Sequence, residues 1–523
     1  MCGISASWVF QKLPPNKDFF FTKYSLLFPR GPDSQAQHVF NGSEGFAGIM
    51  GFARLVIQGT LSGSEQPFTF ERGSCMVNGE IYNSKKLGAP LGQSDCFVVK
   101  QMLEAGMPME QVCRQLDGDF AIVFVEACGA VSLARDPYGV KPLFYATYED
   151  SETETITHAV ASELKGLYGP GQMTSVVAVT PGTVMRITAQ GITKQVYHQV
   201  PWLKNPLFKT ALIARSATFI ALKAAVKKRL VCNPSVNIGV CLSGGLDSSV
   251  VATLANDLVP NLRTYSIGME GSCDLAAARK VADFLRTEHH EILVTEAQML
   301  DAIPEVIRAI ESYDITTVRA SVGNYLVGKY IAQNTPTVKV VLNGDGADEL
   351  FGGYLYMRAA PSDQAFEEET TRLLTEIHQY DVLRSERSMA AHGLEARSPF
   401  LDRHLVSVVR GIPTGMLRPG EMIPEKFILR SIMSLGLPLD IVMRPKEAFS
   451  DGVSGGRSWY QVTGEEAQRR GMTEAEWYLA EFRRHYGALE EKTIPGYWMP
   501  RFIAGATDPS ARTLQLYGNK KCE

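Results

Sequence analysis

The sequence predicts two domains of different class. A β-rich first half of layered sheets with a few covering helices is followed by an α/β half, whose doubly wound parallel sheet runs on into a mostly helical part. Three observations carry this. Residues 1–198 are short apolar runs broken by glycine, with helical periodicity only locally. Beyond residue 211, apolar runs of strand length alternate with helix-like stretches, the pattern of strand–helix–strand units around a parallel sheet. At 523 residues the chain also exceeds one ordinary core, and its length suggests roughly two to four domains.

In the first half the strand candidates are Phe46 to Ala53, Ser74 to Val77, Ala121 to Val125, Val131 to Ala134 and Val184 to Ile187. The local helical period runs from Cys96 to Leu103. Pro201, Trp202, Asn205 and Pro206 interrupt the pattern, which places a linker near 199–211 and domains at 2–198 and 212–523. A helix is then expected from Thr210 to Leu230, a strand over Val236 to Leu242, a glycine-rich turn, and a helix from Ser248 to Leu258. Strand Arg263 to Met269, helix Leu275 to Arg286 and strand Glu291 to Val294 follow. Helices continue to Ile331, Val338 to Leu342 is another buried strand, and from residue 360 the chain reads as helical. Ligands of such sheets sit at the carboxyl ends of the strands.

Composition narrows the function. Hydrophobic residues make up 45% and charged residues 21%, as in a soluble globular protein. Lys plus Arg is 52 against 56 for Asp plus Glu, a net charge of −4, so no basic field draws the chain to nucleic acid or an anionic membrane. The cluster Lys223-Ala224-Ala225-Val226-Lys227-Lys228-Arg229 reads as one solvated helix face. Lys23 interrupts the run after Phe19-Phe20-Phe21, no signal segment opens the chain, and no apolar stretch nears the roughly 20 residues of a membrane span. Nine cysteines without C-x-x-C pairs argue against a zinc site or a disulfide framework and for a reducing compartment. A cytoplasmic location is the expectation.

Two loops and one terminus carry the chemistry. Removing Met1 from Met1-Cys2-Gly3-Ile4 leaves a cysteine with a thiol and a free α-amine. The thiol is mostly protonated at neutral pH (pKa about 8.5), and an α-amine of pKa near 8 is an adjacent general base. One residue then supplies nucleophile and base, a reading that an isolated Met-Cys start would not justify.

Ser243-Gly244-Gly245-Leu246-Asp247-Ser248-Ser249 follows a strand and opens a helix. Its glycines admit a phosphate to backbone amides at a helix N-terminus. A Walker lysine is absent. The loop resembles the pyrophosphate loop of ATP pyrophosphatases, which adenylate a carboxylate or carbonyl, and Asp247 suits Mg²⁺. The second loop, Asn343-Gly344-Asp345-Gly346-Ala347-Asp348-Glu349, also follows a buried strand. Its three carboxylates repel unless a cation or a substrate amine compensates them.

Together these pieces resemble the glutamine-dependent asparagine synthetases, animal-type, over nearly the whole chain. In the first half the resemblance rests on Cys2-Gly3-Ile4, Arg30-Gly31-Pro32-Asp33, Arg54-Leu55, Asn78-Gly79-Glu80-Ile81-Tyr82-Asn83, Ser94-Asp95, Leu116-Asp117-Gly118 and Arg135 to Leu143. In the second it rests on the pyrophosphate loop, Glu311 to Ser321, the acidic loop, Ala391 to Asp402, Arg444 to Gly452 and Ala506 to Leu514.

The resemblance implies an N-terminal-nucleophile glutaminase fold, then an ATP-pyrophosphatase-like synthetase domain. Cys2 would attack the glutamine amide, with Asn78 and Gly79 as oxyanion hole. Arg54 would hold the α-carboxylate, Glu80 and Asp95 the α-ammonium, and Leu55, Val56, Ile57 and Gln58 would complete the glutamine site. In the second half aspartate would be activated as β-aspartyl-AMP, releasing pyrophosphate. Leu242, Ser243, Gly244, Gly245, Asp247, Ser248, Ile267, Asn343, Gly344 and Lys446 would bind ATP, and Asp247 and Asp348 would share Mg²⁺. Asp345 falls where the family carries a catalytic carboxylate, and Arg319, Asp381 and Arg384 belong to the aspartate and pyrophosphate site.

The implied partners are aspartate, glutamine or ammonia, and ATP, with no nucleic acid and no membrane, and with room for a homodimer. Pro29 replaces a usual histidine, the segment Leu55-Val56-Ile57-Gln58-Gly59 lacks a usual aspartate, and Asn343 and Asp345 replace serine and glutamate. Other Cys-Gly amidotransferases lack the S-G-G-L-D-S-S loop, and β-lactam synthetases resemble a form of this fold without the cysteine. A synthetase for another carboxylate and a catalytically weak regulatory relative are the alternatives.

Overall fold

The computed structural model describes residues 1–10, 17–42, 45–60, 64–150, 155–168, 173–201, 206–433, 436–446, 452–489 and 496–503. Trp202 and Asn205 of the expected linker, residues 447–451 of the Arg444 to Gly452 motif, and the Ala506 to Leu514 motif lie outside them.

The first half holds β1 (Gly3–Val9), β2 (Ser34–Asn41), β3 (Ala47–Arg54), β4 (Phe68–Phe70), β5 (Gly73–Ile81), β6 (Gly118–Glu126), β7 (Val131–Arg135), β8 (Phe144–Asp150), β9 (Thr155–Ala161), β10 (Met173–Ala178), β11 (Thr183–Thr188) and β12 (Gly191–Val196). They form two antiparallel sheets, ordered β10-β8-β9-β1-β3-β2 and β12-β11-β7-β6-β5-β4.

Strand alternation explains the layering. Ile4, Ala6 and Trp8 of β1 and Met50 and Phe52 of β3 meet Met76 of β5 and Ala121 and Val123 of β6 between the sheets. The intervening residues Cys75, Val77 and Ile122 face outward onto α2 (Phe97–Glu104) and α3 (Met109–Gln115). Ile49 and Ala53 face α1 (Lys17–Ser25) through Phe20 and Tyr24. Helix, sheet, sheet and helix are thus stacked, as the expectation of layered sheets with covering helices required.

In the second half, α4 (Ala211–Arg229) leads into β13 (Asn237–Cys241), α5 (Leu246–Asn256), β14 (Arg263–Gly268), α6 (Cys273–Leu285), β15 (Glu288–Leu293), α7 (Glu296–Ile310), α8 (Ile315–Asn334) and β16 (Val338–Leu342). Each expected element from Thr210 to Leu342 is present. Side chains capping α4 (Thr210), α7 (Thr295 and Gln298) and α8 (Asp314) fix where those helices begin. The sheet is parallel, ordered β15-β14-β13-β16-β17. Val340 and Leu342 of β16 face the α4–α5 side and Val341 the α7–α8 side, so both faces are covered, as a parallel sheet demands.

The region beyond 360 is mostly helical, as expected, with one exception. β17 (Glu395–Arg397) is a buried edge strand paired to β16. Its signal is invisible to hydropathy, because two of its three residues are charged and are buried as ion pairs.

The halves share a charged, dry boundary. Arg30 pairs with Glu386, Lys141 with Glu395 at 3.1 Å, and Arg229 with Asp119 at 3.6 Å. The basic cluster ending in Arg229 is therefore not simply a solvated face. Arg229 is buried, and Lys228 bridges Asp117 (2.7 Å) and Asp402 (2.9 Å). Cys2, Cys75, Cys96, Cys113, Cys128, Cys232 and Cys241 are free thiols, while Cys273 is disulfide-bonded. Among the described residues no helix is long and apolar enough to cross a membrane.

Candidate active sites

The first site gathers the start of β1, the end of β3 and the carboxyl end of β5. Cys2 precedes the central strand β1, whose register pairs Gly3 with Ala53. Its nitrogen donates to Asn78 Oδ1 at 2.9 Å, and its Sγ lies 3.9 Å from the Leu55 carbonyl oxygen. With Met1 attached this nitrogen is a peptide nitrogen and stands in for the amine that Met1 removal would free. Met1 is buried, and its ammonium sits 3.8 Å from Glu395. Arg30 Nε donates to the Cys2 carbonyl at 2.9 Å and fixes the backbone on the other side.

Burial raises the Cys2 thiol above its ordinary value. A base beside it is therefore needed for attack at neutral pH.

Asn78 is wholly buried, yet its Nδ2 has no hydrogen-bond partner. Such an orphan donor next to a nucleophile is what an oxyanion acceptor satisfies. A Cβ on Gly79 would fall 2.3 Å from the Asp119 carbonyl oxygen, so the strand admits only glycine there.

Arg54 ends β3, buried, and donates to the Thr60 (2.9 Å) and Gln58 (3.3 Å) carbonyls, so the 55–59 turn wraps its guanidinium. Within that turn the predicted residues separate. Leu55 offers its carbonyl to Cys2, and the Gln58 amide donates to Glu80 Oε2. The Val56 amide is held by Asp33 (2.7 Å). The side chains of Leu55 and Ile57 are buried in the core of the second half. The Ile57 carbonyl accepts the Asn233 amide at 2.8 Å, so this residue ties the turn to the second half.

Glu80 and Asp95 are both 4% exposed. Asp95 Oδ2 accepts the Ile81 amide at 2.5 Å and Oδ1 the Ser94 hydroxyl at 3.2 Å. Burial pushes Asp95 up to about 6, and burial together with Asp95 lifts Glu80 well above the usual carboxylate range. Two strained carboxylates in one cleft invite a cationic group.

The second site is a cavity of about 270 Å³ at the carboxyl ends of β13, β14 and β16. It is lined by Leu242, Ser243, Gly245, Asp247, Ser248, Ile267, Asn343, Gly344, Asp345, Asp348, Asp381, Arg384 and Lys446, all named from the sequence. Gly244 shapes the turn from beneath. Its φ is +69°, and a Cβ would meet the α6 backbone at 2.4 Å. A Cβ on Gly344 would lie 2.8 Å from the Asp247 Cβ, so the two glycine loops touch.

Asp247 and Asp348 converge on two lysines. Lys426 Nζ reaches Asp247 Oδ2 at 2.6 Å and Asp348 Oδ1 at 2.7 Å, and Lys446 Nζ reaches Asp348 Oδ2 at 2.6 Å. Burial alone would raise Asp348, but Lys426 and Lys446 outweigh it and hold this carboxyl below the usual range. Asp247 Oδ1 and Asp348 Oδ1 are buried without an aligned hydrogen bond. This donor set suits Mg²⁺, which takes one or two protein carboxylates and completes its shell with phosphate and water. Among the described residues no group of three or more His, Cys, Asp or Glu could hold a metal by itself.

Asp345 receives Arg384 Nη2 and Asn343 Nδ2 at 2.9 and 2.8 Å, and burial raises its carboxyl despite Arg384. Asp381 accepts from the Tyr354 hydroxyl at 2.9 Å, which also serves Glu349. Arg319 does not line this cavity. It is buried in an ion pair with Glu474 (Nε to Oε1, 2.7 Å) and stacks over Tyr460 at 4.6 Å. On α8 it is Thr316, Thr317, Ala320, Asn324 and Val327 that line the cavity, because the helical repeat turns position 319 away. Sequence reasoning missed Lys426, which sits in no motif, and Arg397, which sits in a quoted motif without a role.

The asparagine synthase family model matches residues 220–365 and 358–488, and the glutamine amidotransferase domain model matches residues 1–214. Asparagine synthetase [glutamine-hydrolyzing] from Homo sapiens is 39% identical over 545 residues, covering 93% of this chain and 94% of the relative. The namesakes from Gallus gallus and Mus musculus are each 37% identical over the same shares. The chain belongs to the glutamine-hydrolysing asparagine synthetase family. Its departures from that family's pattern have local explanations. Pro29 lies in the first turn of the 3₁₀ segment Phe28–Arg30, where a missing N–H costs little. Asn343 accepts the Ser398 hydroxyl at 2.7 Å and braces the shorter Asp345.

Proposed function

We propose that this chain makes asparagine from aspartate with glutamine as nitrogen donor, coupled to cleavage of ATP to AMP and pyrophosphate. One observation carries the reading. A single chain combines a half-buried thiol beside an orphan amide donor with a strand-end cavity in which two carboxylates and two lysines converge.

At the first site the Cys2 sulfur bonds to the glutamine amide carbon while its proton passes to the freed amine. The developing oxyanion is met by Asn78 Nδ2 and the Gly79 amide. The amine returns the proton to departing ammonia, and water then cleaves the thioester to glutamate. Arg54 holds the α-carboxylate, and Glu80 and Asp95 hold the α-ammonium.

At the second site an aspartate β-carboxylate oxygen attacks the α-phosphorus of ATP and expels pyrophosphate. Ammonia then displaces AMP from the acyl carbon. Leu242 and Ile267 flank the adenine, Asn343 and Gly344 the ribose, and the Ser243 to Ser248 loop the phosphates. Lys446 and Lys426 neutralise phosphate charge. Asp247 and Asp348 would hold Mg²⁺, which screens and orients the phosphates. Asp345, with Asp381 and Arg384, positions aspartate or takes a proton from attacking ammonia.

We place the glutaminase domain at 2–198 and the synthetase domain at 212–523, in the cytoplasm. Seven free thiols among the described residues support the compartment, and the disulfide at Cys273 stands against it. The test is an assay of purified protein with ATP, Mg²⁺, aspartate and glutamine. Asparagine, AMP and pyrophosphate should form in equal amounts, with glutamate at least matching them. ADP as nucleotide product refutes the mechanism.

A further inference from the structure

A charge from the synthetase half stands inside the glutamine site. Arg397, on the edge strand β17, is 0% exposed. Its Nη1 donates to the Arg229 and Val231 carbonyls, both at 2.8 Å, and its Nε to Glu395 Oε1 at 2.7 Å. Those three bonds fix the guanidinium plane and leave Nη2 directed at Glu80 Oε2, 3.1 Å away, as an ion pair without hydrogen-bond alignment. The Tyr82 ring lies beneath the guanidinium at 5.9 Å. Meanwhile the Arg397 carbonyl accepts the Asn343 amide at 3.1 Å, at the start of the acidic loop. One residue therefore touches the walls of both sites.

We propose that Arg397 is a positioning residue for glutamine: it aims the Glu80 carboxylate for the substrate α-ammonium and offsets its negative charge, so the glutamine site is incomplete without the synthetase half. This rests on reading Glu80 as the partner of that ammonium.

The local charges support it. Glu80 is faced by Asp95 and Cys96 from the segment entering α2, by Glu395 and Arg397 from β17, and by Cys232 from the turn after α4. Lys141 pairs with Glu395. Once Met1 and its ammonium beside Glu395 are removed, three buried carboxylates stand against the two cations Arg397 and Lys141, and a substrate ammonium supplies the third positive charge. Without Arg397, two uncompensated neighbours cannot both stay ionised in so dry a cleft, and one takes up a proton.

The test uses the full chain with glutaminase steady-state kinetics across pH. Arg397→Met should raise KM for glutamine at least tenfold while changing kcat far less. It should also move the acid limb of kcat/KM to higher pH, because Glu80 protonates more readily. Arg397→Lys keeps a cation but loses the two-carbonyl brace. It should raise KM by a smaller factor and leave the acid limb in place. If Arg397→Met does not fold, the lysine variant decides: a raised KM at unchanged kcat supports the proposal, and an unchanged KM overturns it. In folded Arg397→Met, an unchanged KM and pH profile overturn it, as does an equal fall in kcat alone. Glutaminase activity of the unaltered protein is measured alongside. Its absence defeats the reading of the glutamine site itself, whereas its presence with indifferent variants defeats only the role of Arg397.

Discussion

At the glutamine site the buried carboxylates Glu80 and Asp95 share Arg397, and burial raises both. At the nucleotide site Asp247 and Asp348 face Lys426 and Lys446, and Asp348 is held low. The first pair is short of positive charge and fits a ligand bearing an ammonium. The second is already neutralised and fits a ligand that brings anion and cation together, a nucleotide with its metal. Charge balance before binding thus distinguishes the two carboxylate sites.

The largest test of this contrast is Cys2→Ala. Glutamine-dependent asparagine formation should vanish while ammonia-dependent formation persists, since nothing at the second site uses the thiol. Blocking Met1 removal should have the same effect, read by mass spectrometry and the two assays together.

Asp247→Asn comes next. Synthesis should fall by about two orders of magnitude or more, because the metal loses an anionic ligand, while glutamate still appears. Loss of both activities in a folded variant would contradict the independence of the two clefts.

Asp345→Asn should stop asparagine formation with the glutaminase intact. ATP–pyrophosphate exchange then sharpens the result. Lost exchange assigns Asp345 to adenylation, retained exchange to ammonia attack, and near-normal synthesis to neither.

The smallest effect concerns pH. A carboxylate raised by burial is ionised above its folded pKa and protonated below it. As pH falls through about 6, Asp95 loses its charge, and KM for glutamine should rise while KM for ATP stays flat. Raised folded values also mean that Asp95 ionisation works against folding at neutral pH. Asp95→Asn should therefore melt slightly higher than the unaltered protein while binding glutamine worse.

Much of this was legible in the sequence, for identifiable reasons. Continuous apolar runs in β6, β13 and β16 report strands buried on both faces, and so the layers, directly. The glycines of both loops report backbone approach, and they fall where the cavity forms. What hydropathy hides is charge that folding buries. Glu395 and Arg397 look like surface residues until Lys141, Glu80 and two carbonyls from the end of α4 surround them. Lys426 is the same case, 2% exposed at a positive φ of 57° in a stretch without a motif. Arg319 fails in the opposite sense, since a family position does not reveal that Glu474, 155 residues later, claims the guanidinium.

The central claim is that nitrogen released at Cys2 ends in the product of the second cleft. Purified protein given [amide-¹⁵N]glutamine, aspartate, ATP and Mg²⁺, with unlabelled ammonia present at low concentration, tests it by mass spectrometry of asparagine. The account predicts ¹⁵N in the asparagine side-chain amide, together with AMP. Glutamate formation with no labelled asparagine would contradict it.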